Sequence, residues 1–138
     1  GMNYCLDLAA AGVAVGQANI AWMYSHSNKG VTQDYATAVE WYRKAAEQGL
    51  AAAQLNLGYM YKNGKGVDQD NANAMKWCRK AAEQGYVYAQ NELAYMYYSG
   101  KGVTQDKTKA IEWFCKAAAQ NNADAKNQLT TLNTTCPK

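Results

Sequence analysis

One phrase recurs three times in this chain and restricts its fold more than any other feature. Lys-Gly-Val-x-Gln-Asp stands at Lys29–Asp34, Lys65–Asp70 and Lys101–Asp106, so successive copies are 36 residues apart. Each copy is followed by a segment with a central Trp: Trp41, Trp77 and Trp113. Self-similarity at this period describes a stack of small units, each too small to bury a core alone. Residues that recur with the period are therefore expected to build the stack. Residues at which the copies differ are the better candidates for recognition.

The second copy shows the unit most clearly. Ala53, Leu57, Met60 and Tyr61 lie on one helical face, matched by Ala89, Leu93, Met96 and Tyr97, and by Gly16, Ile20, Met23 and Tyr24. This is helix A. Beside the face runs a small residue, Ala21, Gly58 or Ala94, that allows close helix approach. Glycines then stop helix A, as in Asn63-Gly64-Lys65-Gly66. Asp34, Asp70 and Asp106 precede the next helical pattern, where a carboxylate can take the free N–H groups of the first turn.

In that following helix B, Ala38, Trp41, Tyr42, Ala45 and Ala46 share a face, as do their counterparts around Trp77 and Trp113. Glu40–Lys44 and Glu112–Lys116 have i, i+4 spacing on its outer side. Gly49, Gly85 and Asn121 close helix B.

Tyr4 and Cys5 fall in register with Trp41 and Tyr42, and Gly12 with Gly49. The expected organisation is a half-repeat helix at 3–11, repeats at 14–49, 51–85 and 87–121, and a capping helix at 123–135. That is about eight helices in an all-α array of antiparallel pairs.

Composition agrees and excludes other classes. The chain is 49% hydrophobic with a single proline, suiting packed helices. A net charge of +3 gives no case for nucleic acid, and no stretch has the length for membrane insertion. Gly1 before Met2 reads as a scar of tag removal, so a leader could have been lost and the compartment stays unknown. Cys5, Cys78, Cys115 and Cys136 form no C-x-x-C pair, which suggests neither zinc nor a disulfide framework. No cofactor is expected.

Ala53, Leu57, Gly58, Tyr61, Gly64, Gly66, Val67, Asp70, Ala74, Trp77, Ala81, Ala82, Gln84 and Gly85 together resemble the motif of the Sel-one-like repeat (SLR) family, relatives of the tetratricopeptide repeats. The resemblance implies a right-handed α/α superhelix whose helices A line a concave face. It implies a bacterial-type adaptor for proteins or peptides, without catalytic residues. A cysteine-rich subgroup carries a C-x7-C disulfide per repeat and is linked to β-lactamase activity. Here Tyr86 and Ala123 stand eight residues after Cys78 and Cys115, and no Ser-x-x-Lys occurs.

The candidate binding residues are those on helix A that differ between copies: Asn19, Trp22, His26, Asn56, Tyr59, Lys62, Tyr88, Glu92, Tyr95 and Tyr98. Amides can hold a peptide backbone, and aromatic rings give rigid contact area. The competing use of Trp22, Tyr59 and Tyr95 is packing between neighbouring helices. Asn63 and Ser99 share the row of His26, with Ser25 beside it.

Trp41, Trp77 and Trp113 are expected in the core, with Cys78 and Cys5 as small core residues. Cys115 replaces Arg43 and Arg79 on the helix flank and Cys136 sits in the tail; either could be a partly exposed thiol, and the sequence leaves their redox state open. Asp34, Asp70 and Asp106 sit in separate repeats, too far apart to share one ion.

The expected function is a monomeric, non-enzymatic scaffold binding a protein or peptide on its concave face. The alternatives are a β-lactamase or cell-wall-related hydrolase, disfavoured by one His and three Ser without triad spacing, and a structural spacer within a longer array.

Overall fold

A computed structural model describes residues 2–26 and 33–137. Its helices are α1 (Met2–Ser25), α2 (Tyr35–Glu47), α3 (Ala51–Asn63), α4 (Asn71–Glu83), α5 (Val87–Ser99), α6 (Lys107–Ala119) and α7 (Ala123–Thr131). Among the described residues there are no strands. The chain divides into two compact units, residues 1–70 and 71–138. In the first, α1 packs on α2 and α2 on α3; in the second, α4 to α7 pack in chain order.

Among the described residues there are seven helices, close to the eight or so expected, because α1 runs through Gly12 and joins 3–11 to the segment from residue 14. Gly49 and Gly85 take φ of 95° and 89°, whereas Gly12 keeps helical backbone. Leu8-Ala9-Ala10-Ala11 before it are strong helix formers, and one internal glycine costs a helix only about 1 kcal/mol.

The continuous helix changes which face of α1 is buried. Ala14, Ala21 and Ser25 face inward, while Gly16 and Met23 are exposed. In α3 and α5 the expected core is in place: Ala53, Leu57 and Met60 are buried, as are Ala89, Leu93 and Met96.

The recurring phrase works as a stop, a spacer and a start. Gly64 and Gly100 end α3 and α5 in left-handed conformation. The second glycine has a separate reason. A Cβ on Gly66 would collide with the Tyr35 carbonyl, and one on Gly102 with that of Asn71. The loop thus presses against the N-terminal end of the helix B before it.

Asp34 then accepts from Thr37 N at 3.2 Å, and Asp106 from Lys109 N at 3.0 Å. The Asp34, Asp70 and Asp106 N–H groups donate back to the Tyr24, Tyr61 and Tyr97 carbonyls at 2.8–2.9 Å. Asn121 adopts φ 66° where the earlier repeats use glycine.

Trp77 is buried, but Trp41 and Trp113 are only half-buried. Lys44 Nζ lies 4.4 Å from the Trp41 ring centre and Lys116 Nζ 4.2 Å from that of Trp113. These lysines shield the outer ring faces by cation–π contact. Cys78 is buried as expected; the side chain of Cys5 lies outside the described residues.

The cysteine expectation is corrected at the C-terminus, where Cys115 and Cys136 form a disulfide across a Cα–Cα distance of 5.6 Å. The repeat explains its position. In the first unit Arg43 donates to the Tyr61 hydroxyl at 2.7 Å, and in the second Arg79 donates to Tyr97. Cys115 occupies the arginine's place, and Asn133 the tyrosine's. A covalent link near the same position replaces the arginine–tyrosine bond.

Candidate functional site

The first unit contains an open groove of about 820 Å³. α1 contributes Trp22, Ser25 and His26; α3 contributes Asn56, Tyr59, Met60 and Asn63. Tyr35 and Tyr42 come from α2, Gln33 from just before it, and Lys65 from the loop after α3. Four of the expected binding residues, Trp22, His26, Asn56 and Tyr59, are therefore brought together.

The wall formed by α1 is preorganised. Trp22 is 47% exposed, an unusual state for so large a ring, and stacks on His26 at 4.2 Å and 19°. His26 Nδ1 lies 2.9 Å from the Trp22 carbonyl and 2.8 Å from Ser25 Oγ. Ser25 Oγ donates to the same Trp22 carbonyl at 2.9 Å. Ser25 and His26 are thus in direct contact, and both reach the Trp22 carbonyl. These contacts tie the His26 ring to the end of α1 beside Trp22.

Beneath the groove Tyr42 is buried, and burial raises its pKa against the opposing effect of its Ser25 hydrogen bond. Gln33 Nε2 donates to the Ser25 carbonyl at 3.0 Å and to the Tyr35 hydroxyl at 2.8 Å. Lys65 Nζ lies 5.1 Å from the Tyr35 ring centre. Its backbone is fixed by a bond from Lys65 N to the Met60 carbonyl at 3.0 Å.

The other expected residues have different settings. Asn19 is exposed on α1 outside the groove, and Lys62 is half-buried on α3 without lining it. In the second unit Tyr88 is 60% exposed and meets Tyr86 edge-on. Tyr98 is exposed, with Lys107 Nζ 5.8 Å from its ring centre, and Glu92 is half-buried.

Tyr95 is engaged in packing. Its ring meets Phe114 edge-on at 5.1 Å, and its hydroxyl donates to Asp124 at 2.8 Å. Asn91 Nδ2 donates to the same carboxylate at 2.7 Å. Burial first, and the Asp124 carboxylate second, push the Tyr95 phenol up to about 12.

The residues missed in the groove are chiefly Gln33, Tyr35 and Lys65. Gln33 and Lys65 belong to the recurring phrase and read as turn residues. Tyr35 was detectable, because the other copies carry Asn71 and Lys107 there. Among the described residues no three His, Cys, Asp or Glu side chains gather as a metal site, and no helix is long and apolar enough to cross a membrane.

Comparison with known proteins agrees with this architecture. A family model described as Sel1 repeat matches residues 14–50, 51–86 and 87–122. A protective antigen of uropathogenic Escherichia coli strains displaying an SLR fold is 47% identical, with a TM-score of 0.82 over 86% of this chain. The chain spans 25% of that protein's length. A Sel1 repeat protein from Oxalobacter formigenes is 36% identical, with a TM-score of 0.79 and coverage of 95% of this chain and 99% of its own. Cysteine rich protein B of Helicobacter pylori is 26% identical, with a TM-score of 0.71 over 89% of this chain and 94% of its own. No curated protein matches the chain.

Proposed function

This chain belongs to the Sel1 repeat family, and from that premise we propose that it is a non-enzymatic, monomeric scaffold that binds an extended peptide segment in the groove of its first unit. The observation that carries the reading is the exposed, preorganised Trp22–His26 stack, set in one groove with Asn56, Asn63, Gln33 and Tyr59. Aromatic platforms give contact area at low entropic cost, and side-chain amides can both donate to and accept from a peptide backbone. Sel1 repeats commonly serve protein interaction, which favours a polypeptide over a small metabolite. The Cys115–Cys136 disulfide favours action in an oxidising compartment.

Selection from a displayed random-heptapeptide library tests the proposal. The wild-type protein is expected to enrich a consensus that the Asn56→Ala/Tyr59→Ala double variant fails to enrich. The melting temperature should change little, because both side chains are only half-buried. Equal enrichment by the two proteins, or a variant that no longer folds, would count against the groove and for packing roles of these residues.

A further inference from the structure

The groove has an asymmetry of charge that narrows its occupant. Among its described lining residues Lys65 alone carries a full charge, and no carboxylate faces into it. The remaining polar groups are amides and hydroxyls, with Trp22, Tyr35, Tyr59 and Met60 as the apolar surface. Lys65 has little freedom of backbone position, since Gly64 is left-handed and Gly66 presses on the Tyr35 carbonyl.

In the second unit Lys101 holds the repeat position of Lys65, but its surroundings differ. Glu92 stands at the repeat position of Asn56, and Asp124 takes the hydroxyl of Tyr95.

Resting on the peptide-groove reading, we propose that the occupant presents a carboxylate to Lys65 and an aliphatic or aromatic side chain to Trp22. The carboxylate is an Asp or Glu side chain or a free C-terminus. Such a group forms a charge-assisted hydrogen bond with the Lys65 ammonium. A peptide with Lys or Arg at that point would leave two cations facing each other, so the lysine also rejects basic segments. The amides of Asn56 and Asn63 carry no net charge, so they hold the backbone without altering this preference.

Two random-heptapeptide libraries test the inference, one ending in a free C-terminus and one with its C-terminus fused to the display protein. Wild-type protein is expected to enrich an acidic group next to an apolar residue. Preference for the first library identifies a terminal carboxylate, and success with both identifies an acidic side chain. Lys65→Glu should invert the preference towards Lys and Arg. A synthetic peptide of the selected sequence should bind Lys65→Gln about tenfold more weakly by fluorescence anisotropy, the effect of about 1.4 kcal/mol. The wild-type affinity should fall with salt more steeply than that of the variant.

Lys65 is exposed, so both variants should melt with the wild type. Enrichment without acidic bias, or the same consensus from Lys65→Glu, overturns the carboxylate proposal while leaving the groove intact. Enrichment of nothing by any of the proteins overturns the groove reading itself.

Discussion

Breaking the Cys115–Cys136 link should weaken the second unit by a calculable amount. The two cysteines are 21 residues apart and enclose the whole of α7, a helix of 9 residues. A helix so short is marginal without tertiary support. Closing a loop of this size removes entropy from the unfolded chain worth about 3 kcal/mol at 25 °C. If the 138 residues melt as one, that corresponds to a drop of about 10 °C in melting temperature, and to more if residues 71–138 melt alone. Calorimetry with and without reductant reads the effect, and intact mass confirms the thiol state. The Cys115→Ser/Cys136→Ser variant should melt at the lower temperature in both conditions. A fully reduced wild type that melts where the oxidised protein does would refute the reasoning. So would free thiols at both positions in protein kept under air.

Other perturbations test separate parts of the fold. Gly66→Ala places a methyl against the Tyr35 carbonyl on a backbone with φ 76°, and should cost about 2 kcal/mol or more, read from a urea midpoint; a change under about 0.5 kcal/mol would show that the loop yields freely. The Thr37 hydroxyl and N–H lower the Asp34 pKa below its ordinary value of 3.8. Its folded pKa being depressed, the cap contributes stability above about pH 3.8 that is lost as pH falls through the folded value, and Asp34→Asn should flatten that acid-side slope in thermal melts. The Tyr95 phenol, raised to about 12, binds its proton more tightly in the folded protein. That contribution is complete below pH 10 and is lost as pH rises towards 12, so Tyr95→Phe should lessen the alkaline loss of stability; an unchanged alkaline limb would argue against the Asp124 contact.

Most of the architecture is legible in the sequence because the repeat states it three times. The A-face residues Ala53, Leu57 and Met60 recur with their spacing, and Asp34 and Asp106 recur before a helix they then cap. What escapes is what occurs once. Gly12 sits in register with Gly49, but its flanking Leu8–Ala11 segment favours continued helix, and register alone does not weigh that propensity. The disulfide joins a residue of α6 to one in the segment after α7, so no repeat spacing relates them. Its signal was the loss of Arg43 and Arg79 chemistry at Cys115, two residues after Trp113. In the groove, Trp22, His26, Asn56 and Tyr59 were found by asking where the copies disagree. Lys65 escaped that test because all three copies carry Lys there, and its surroundings, not its identity, set it apart.

The central claim is that the first unit's groove receives a peptide. Nuclear magnetic resonance measures this most directly, by titrating a selected heptapeptide into nitrogen-15-labelled protein. The account expects the Trp22 indole N–H and the side-chain amides of Gln33, Asn56 and Asn63 to shift together and saturate at one affinity. Saturable shifts confined to residues 71–138, with those four signals unmoved, would contradict it.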